Sequence, residues 1–206
     1  MQKYNLFYNE AELSVIIYDK NQLIDLRSKQ KIIFEDNHDL DIRMRLFLEK
    51  HLSFFLYCQE NHTEEVLHYL KSFFKCVQAA GGIVFNHKNE LLTIKRFGFY
   101  DFPKGHIEQG EDALKAAMRE VWEETNVGEL EVVEPLETTY HVFVDIDGYV
   151  LKETQWFRMK TSAVDKLIPQ NEENITGVWW MSSKEIQQII RSFYPSLQQL
   201  INKIII

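Results

Sequence analysis

The sequence predicts a mixed α/β (α+β) chain in two parts, a small α+β unit over residues 1–75 and a larger strand-and-helix part over residues 76–206. Three observations carry this expectation. All eight glycines, all four prolines and all four tryptophans lie beyond residue 80, so the chain changes character there. Short runs of β-branched and aromatic residues alternate with stretches of helical period on both sides of the change. Hydrophobic residues make up 45% and charged residues 26%, values that exclude a disordered or fibrous chain. No Pro/Gly/Ser linker marks the boundary, so the two parts are expected to pack together.

In the first part, Tyr4–Tyr8 and Leu13–Tyr18 read as strands of a hairpin turning at Asn9-Glu10. Lys31–Glu35 reads as a further strand. Residues 39–52 are ambiguous: Leu40, Ile42, Met44, Leu46 and Leu48 alternate, yet Leu40, Met44, Phe47 and Leu48 fit helical spacing. The length of the segment favours a helix. Phe54–Cys58 reads as a strand and Glu64–Phe74 as a helix with Val66, Leu67, Leu70 and Phe73/Phe74 on one side.

In the second part, Gln78–Phe85 and Leu91–Lys95 read as strands about Asn86–Asn89, followed by a helix at Glu111–Thr125. Thr138–Val144 and Tyr149–Met159 flank Asp145-Ile146-Asp147-Gly148, a hairpin signal. Val178–Met181 is a short strand. Ser182 and Glu185 form a capping box that starts a helix. Pro195 suits the first turn of a last helix reaching about Lys203.

Net charge is −8, which argues against a basic surface for a nucleic-acid duplex. It does not exclude a phosphate substrate brought in with metal ions. Ten acids lie between Glu108 and Glu137, so the negative charge is concentrated rather than spread. No apolar stretch approaches the ~20 residues of a membrane helix. The N-terminus shows no run of secretory type. Cys58 and Cys76 suit a reduced setting, so a cytoplasmic location is expected.

The chemistry concentrates in Gly105-His-Ile-Glu-Gln-Gly-Glu111 followed by Arg119-Glu-Val-Trp-Glu-Glu-Thr-Asn-Val127. At about 100° per residue, Glu120, Glu123 and Glu124 share one arc of the predicted helix. Ala117, Val121, Leu114, Thr125 and Met118 take the neighbouring arc. One stripe can be buried while the next presents three carboxylates together. Like charges at i, i+3 and i+4 repel and weaken an isolated helix. Hard divalent cations would remove that conflict, and oxygen ligands with a phosphate partner point to Mg²⁺, with Mn²⁺ as substitute. A merely solvated acidic face is the alternative for any Glu-rich helix. Glu111 falls in the first turn, where a carboxylate suits the helix dipole, and is expected to be structural. Arg119 can pair with Glu123 one turn on.

These residues resemble the Nudix box, G-x5-E-x7-R-E-U-x-E-E-x-G-U with U apolar, in every fixed position except Asn126, where the family has glycine. Asparagine also adopts the left-handed helix cap, so the departure is mild for the fold and removes no ligand. The resemblance implies an α/β/α sandwich around a mixed sheet. It also implies attack of water on a phosphorus of a diphosphate linkage, assisted by metal ions on Glu120, Glu123, Glu124 and the Gly105 carbonyl. Arg119 would orient these acids. Glu108 is either an outer metal ligand or a solvated loop acid.

A further carboxylate often serves as base in the family, from a loop near the last sheet strand. Glu173 is preferred there, with Glu172 beside it. Phe102-Pro103-Lys104-Gly105-His106 resembles members acting on dinucleoside polyphosphates, diphosphoinositol polyphosphates and some nucleoside triphosphates. Lys104 would meet a distal phosphate or face solvent, and His106 would touch substrate or pack its loop. Tyr140, with His141, Phe143 and Trp156, would form either a base-stacking surface or core. The expected activity is therefore a Mg²⁺-dependent pyrophosphohydrolase of a nucleoside diphosphate linked to another group. The alternative is a non-catalytic nucleotide-binding regulatory module, but such modules usually lose box carboxylates and here all are retained.

Residues 1–75 show no metal-ligand pattern and are too few to bury enough apolar surface alone. Phe54, Phe55, Leu56, Phe73 and Phe74 are expected to pack partly on the second part or on another copy of the chain. An accessory domain stabilising a homodimer is the expectation.

Overall fold

The computed structural model describes residues 3–18, 31–34, 36–163 and 166–205. Strands β1 (Lys3–Tyr8) and β2 (Ala11–Tyr18) form the expected hairpin, with Asn9 at a positive φ of 51°. Strand β3 (Lys31–Ile33) follows, and Glu35 lies outside the described residues. Helix α1 (Asn37–Lys50) settles the ambiguous segment. Asp36 caps it by accepting from the Asp39 N–H, and Leu40, Met44, Phe47 and Leu48 form one buried stripe. Strand β4 (Phe54–Gln59) leads to helix α2 (Thr63–Lys71). That helix ends earlier than its apolar pattern suggests because Phe73 and Phe74 turn back, donating to the Leu70 and Lys71 carbonyls.

Strands β5 (Lys75–Phe85), β6 (Leu91–Arg96), β7 (Phe99–Asp101) and β8 (Lys104–His106) precede helix α3 (Ala113–Thr125). Strands β9 (Leu130–Pro135), β10 (Thr139–Asp145), β11 (Gly148–Thr161) and β12 (Ile175–Met181) follow. Helices α4 (Ser183–Ile189) and α5 (Pro195–Ile204) close the chain as expected, the first with a complete Ser182/Glu185 capping box and the second with proline in its first turn. Strands β7, β8 and β9 are absent from the sequence expectation. Two are too short to show a period, and β9 is exposed along most of its length, made by its pairing with β11.

The chain forms two compact units, Met1–Cys76 with Tyr140–Lys152, and Val77–Thr139 with Glu153–Ile206. The hairpin of β10 and the start of β11 thus groups in packing with the first unit, although it follows residue 76 in the chain. The cause is pairing: β10 runs parallel to β1, with Leu6 opposite Tyr140 and Tyr8 opposite Val142. The first unit's strands run in the order β10-β1-β2-β4-β3. Its core joins Leu13, Val15 and Leu56 of the strands to Met44, Phe47, Val66 and Leu70 of the helices. Phe54 and Phe74 are buried in the same cluster, and Phe73 packs against it. Val142 and Leu151 belong to it too, so the 140–152 hairpin supplies part of the apolar cover that residues 1–75 lack.

In the second unit the strand order is β12-β6-β5-β11, with β7 on β6, β8 on β5 and β9 on β11. Alternate residues of β5 serve opposite faces. Ala80 and Val84 meet Ala116, Ala117 and Val121 of α3, while Ile83 meets Ile186, Leu197, Leu200 and Ile201 of α4 and α5. This is an α/β/α sandwich. Gly82 permits the close approach of α3, since a Cβ there would lie 2.6 Å from a Val121 methyl carbon. Among the described residues no helix is long and apolar enough to cross a membrane.

Candidate active site

Helix α3 begins at Ala113, capped by the Asp112 side chain on the Lys115 N–H. Glu111 therefore stands before the helix, not in its first turn. Its carboxylate takes two bonds from Arg119, Nε at 3.0 Å and Nη2 at 2.8 Å, and one from the Glu108 N–H. Arg119 holds the Glu111 carboxyl below the usual carboxylate range. The structural role expected for Glu111 thus comes from this clamp rather than from the helix dipole. The apolar arc also shifts: Ala116 is buried with Ala117, Val121 and Thr125, whereas Leu114 is exposed.

Arg119 gathers the acids. Its Nη1 donates to Glu120 at 2.7 Å and to Glu123 at 2.9 Å, and its Nη2 also donates to the His106 carbonyl at 2.9 Å. Glu124, 1% exposed, accepts from the Lys104 N–H at 2.9 Å. Arg96 lies 3.7 Å from the other Glu124 oxygen and donates to Glu173 at 2.6 Å. Burial pushes the Glu124 carboxyl up to about 8, opposed by the charges of Lys104 and Arg96. Burial also raises Glu120, against the pull of Arg119 and with the neighbouring charges of Glu123 and Glu173 acting in the same direction. Glu173 is therefore close enough to Glu120 for its charge to act there. It sits on a single 3₁₀ turn, Asn171–Glu173, just before β12.

The donor set fits a hard divalent cation. Six carboxylates, those of Asp101, Glu111, Glu120, Glu123, Glu124 and Glu173, face three cations, Arg96, Lys104 and Arg119. Gly105 completes the cradle: a Cβ there would fall 2.2 Å from the Glu120 carboxylate carbon and both its oxygens, so only glycine leaves space for that carboxylate. Among the described residues no three acid, His or Cys side chains already converge as metal ligands. Arg119 draws Glu120 and Glu123 to itself, while Glu124 is held by the Lys104 N–H. A cation entering would take carboxylate oxygens from these cationic and amide partners. All the donors are oxygen, the preference of Mg²⁺ and Mn²⁺.

Of the other predicted residues, Lys104 directs its ammonium to the buried Asp101. His106 is exposed on β8, and Glu108 is exposed on the following loop. Tyr140 belongs to the first unit, edge-on to Tyr4 at a centroid distance of 6.3 Å and packed against that unit's core. Trp156 is core of the second unit, 1% exposed and edge-on to Phe102. Tyr140 and Trp156 thus pack in the cores of different units. The sequence expectation omits Asp101 and Arg96. A lone acid in the aromatic run Phe99-Tyr100-Asp101-Phe102 was the available signal for the first. Nothing local distinguishes Arg96 from a solvated strand-end cation.

The NUDIX domain family model matches residues 77–200, more than half of the chain. This chain belongs to the Nudix family and acts on phosphoanhydride bonds as a hydrolase. An RNA pyrophosphohydrolase of Pelagibacter ubique is 25% identical to it over 143 residues, covering 61% of this chain and 90% of the relative. An RNA pyrophosphohydrolase of Wolbachia pipientis is 27% identical over 148 residues, covering 66% and 88%. The solved structure of the E. coli dihydroneopterin triphosphate pyrophosphohydrolase is similar in fold, with 18% identity, a TM-score of 0.52, and coverage of 64% of this chain and 97% of that one.

Proposed function

We propose that this chain is a Mg²⁺-dependent pyrophosphohydrolase of nucleoside polyphosphates, a nucleoside triphosphate or a dinucleoside polyphosphate, with Mn²⁺ as a substitute metal. The observation that carries it is the gathering of Glu120 and Glu123 on Arg119, with the buried Glu124 one residue further on. Glu120, Glu123, Glu124 and the Gly105 carbonyl would hold the metal. When bound, a divalent cation neutralises charge on the phosphoryl oxygens and acidifies water. Arg119 orients the carboxylates through its bonds to three of them. Glu173, held by Arg96 at 2.6 Å, would accept the proton of the attacking water. The water oxygen bonds to phosphorus as the bridging oxygen leaves with the other half of the substrate. His106 lies beside this apparatus in sequence and would meet the phosphate chain. For Lys104 to do so, its ammonium would exchange Asp101 for phosphate.

The 5′ end of an RNA is the second reading, favoured by the names of the two relatives. The net charge of −8 weighs against extended contact with a phosphate backbone beyond that end. The test is a panel of nucleoside triphosphates, dinucleoside polyphosphates and 5′-triphosphorylated oligonucleotides, assayed with and without Mg²⁺ after removal of metal by chelator. Metal-stimulated release of a phosphate-bearing product from at least one nucleotide is expected. Equal turnover with and without metal would overturn the proposal, as would no turnover of any member.

A further inference from the structure

Helix α3 carries an indole that its core does not use. Trp122 is 57% exposed, although it stands between buried Val121 and the box acids Glu123 and Glu124. It forms one wall of a cleft of about 490 Å³, within the range of about 300–1,000 Å³ usual for small-molecule sites. Ile168, 50% exposed, and Pro169 add further apolar surface. Asn126, Gln170 and Asn171 contribute side-chain amides. Glu123 and Glu172 also line it, so the cleft shares Glu123 with the proposed metal site.

The cleft is built into the fold. The last carbonyls of a helix lack partners within it, and here the 166–170 segment supplies them. The Ile168 N–H donates to the Thr125 carbonyl at 3.0 Å and the Gln170 N–H to the Glu124 carbonyl at 3.3 Å. The Asn126 side chain adds a bond in the other direction, Nδ2 to the Lys166 carbonyl at 3.1 Å. These bonds hold the segment to the end of the helix that carries Trp122. A ligand entering would not have to order that wall, which favours binding.

We infer that this cleft is the subsite for the nucleobase of the substrate, with the ring stacked on Trp122 and its polar edge met by the amides of Gln170 and Asn171. The inference rests on the pyrophosphohydrolase reading, because the base must be the far end of a molecule whose phosphates lie at Glu123. The chemistry selects the occupant. Flat apolar surface beside several amides suits a heteroaromatic ring with donors and acceptors on its rim. The Glu172 carboxylate repels a phosphate chain, and Glu123 accepts one only with a cation. Base–aromatic stacking tolerates different bases, so the subsite would set affinity more than base identity.

Two measurements test this. The first is steady-state hydrolysis of a nucleoside triphosphate with Mg²⁺ by the parent, Trp122→Ala and Trp122→Phe. Alanine should raise KM by about ten- to a hundredfold, the size of one lost stack, with a smaller effect on kcat, and phenylalanine should recover most of the loss. The second is titration of the ¹⁵N-labelled protein with AMP, following the Trp122 indole N–H signal identified by its absence in Trp122→Phe. AMP should shift that signal saturably. A KM for Trp122→Ala within twofold of the parent's would overturn the inference, as would an indole signal that AMP does not move. If the parent cleaves no nucleotide, the activity reading fails and the AMP titration alone decides the subsite.

Discussion

Helices α1 and α3 are built by the same local rules and put to different uses. Each is capped at its start by an aspartate, Asp36 or Asp112, whose side chain accepts from a backbone N–H three residues on. Each ends on a non-glycine residue in the left-handed conformation, His51 or Asn126. The buried positions separate them. Helix α1 buries Leu40, Met44, Phe47 and Leu48, whereas α3 buries Ala116, Ala117, Val121, Thr125 and the carboxylate of Glu124. A buried carboxylate held by one backbone N–H and a guanidinium at 3.7 Å is costly to keep charged. The cost sets α3, the helix of the proposed metal site, apart from a helix that only packs. Caps and period are common to both helices, and the buried charge is what separates their packing.

The largest expected effect breaks that use of α3 without touching its construction. Glu124→Gln and Glu123→Gln should each lower kcat by about a thousandfold, as expected for loss of a primary charge-stabilising group, with circular dichroism unchanged. Near-normal Mg²⁺-dependent turnover in either variant would remove these residues from the metal site. The matching change in α1 is Phe47→Ala, at a fully buried ring packed edge-on against Tyr8 and Phe54. It should cost about 3–5 kcal/mol in chemical denaturation, the usual range for a large cavity.

The same comparison gives a pH dependence. The folded Glu124 carboxyl titrates at about 8 and its ordinary value is 4.5. Between these values the folded state holds a proton that the unfolded state has released, so stability falls as pH rises through this window. In metal-free protein this contribution is fully present below about pH 4.5 and lost by about pH 8. Glu124→Gln should therefore flatten the fall in Tm across this range relative to the parent. Added Mg²⁺ should act in the opposite sense, stabilising the parent more at high pH, because a cation and a proton compete for the same oxygens. Parallel Tm–pH curves for parent and variant in chelator would show that Glu124 is already ionised near neutrality.

The residues that repeat at helical spacing or follow a cap were legible in the sequence. So was the grouping of Glu120 and Glu123 about Arg119, because the spacings that bring them together lie within about one helical turn. Residues placed by distant pairing were not. The parallel pairing of β1 with β10 moves Tyr140 into the first unit, and no local pattern announces it. The buried Asp101–Lys104 pair and Arg96 depend on which strand ends meet α3. Trp122 was visible as a residue of the box, but the cleft beside it depends on the 166–170 segment bonding to the end of the helix.

The smallest expected effect tests whether the two left-handed caps are equivalent in kind. Asn126 has φ 62° and its N–H donates to the Trp122 carbonyl at 2.7 Å. Glycine takes this conformation without a Cβ penalty, so Asn126→Gly gains at the cap what it loses in the side-chain bond to the Lys166 carbonyl. Each contribution is about 1 kcal/mol, and the net change in stability should stay within that. The backbone bonds from Ile168 and Gln170 remain, so KM should move by less than the change in Trp122→Ala. Asn126→Ala keeps neither advantage: it has a Cβ in the left-handed region and no amide, and should lose about 1–2 kcal/mol. His51, at φ 53°, carries the same backbone requirement in α1. His51→Gly should accordingly be neutral or stabilising, offset by the lost ring contact with Tyr8 at 5.0 Å. Denaturation of the three variants separates cap from anchor. If Asn126→Gly loses as much stability as Asn126→Ala, the side-chain bond to the 166–170 segment outweighs the backbone conformation, and the end of α3 is held by that segment rather than by its own cap.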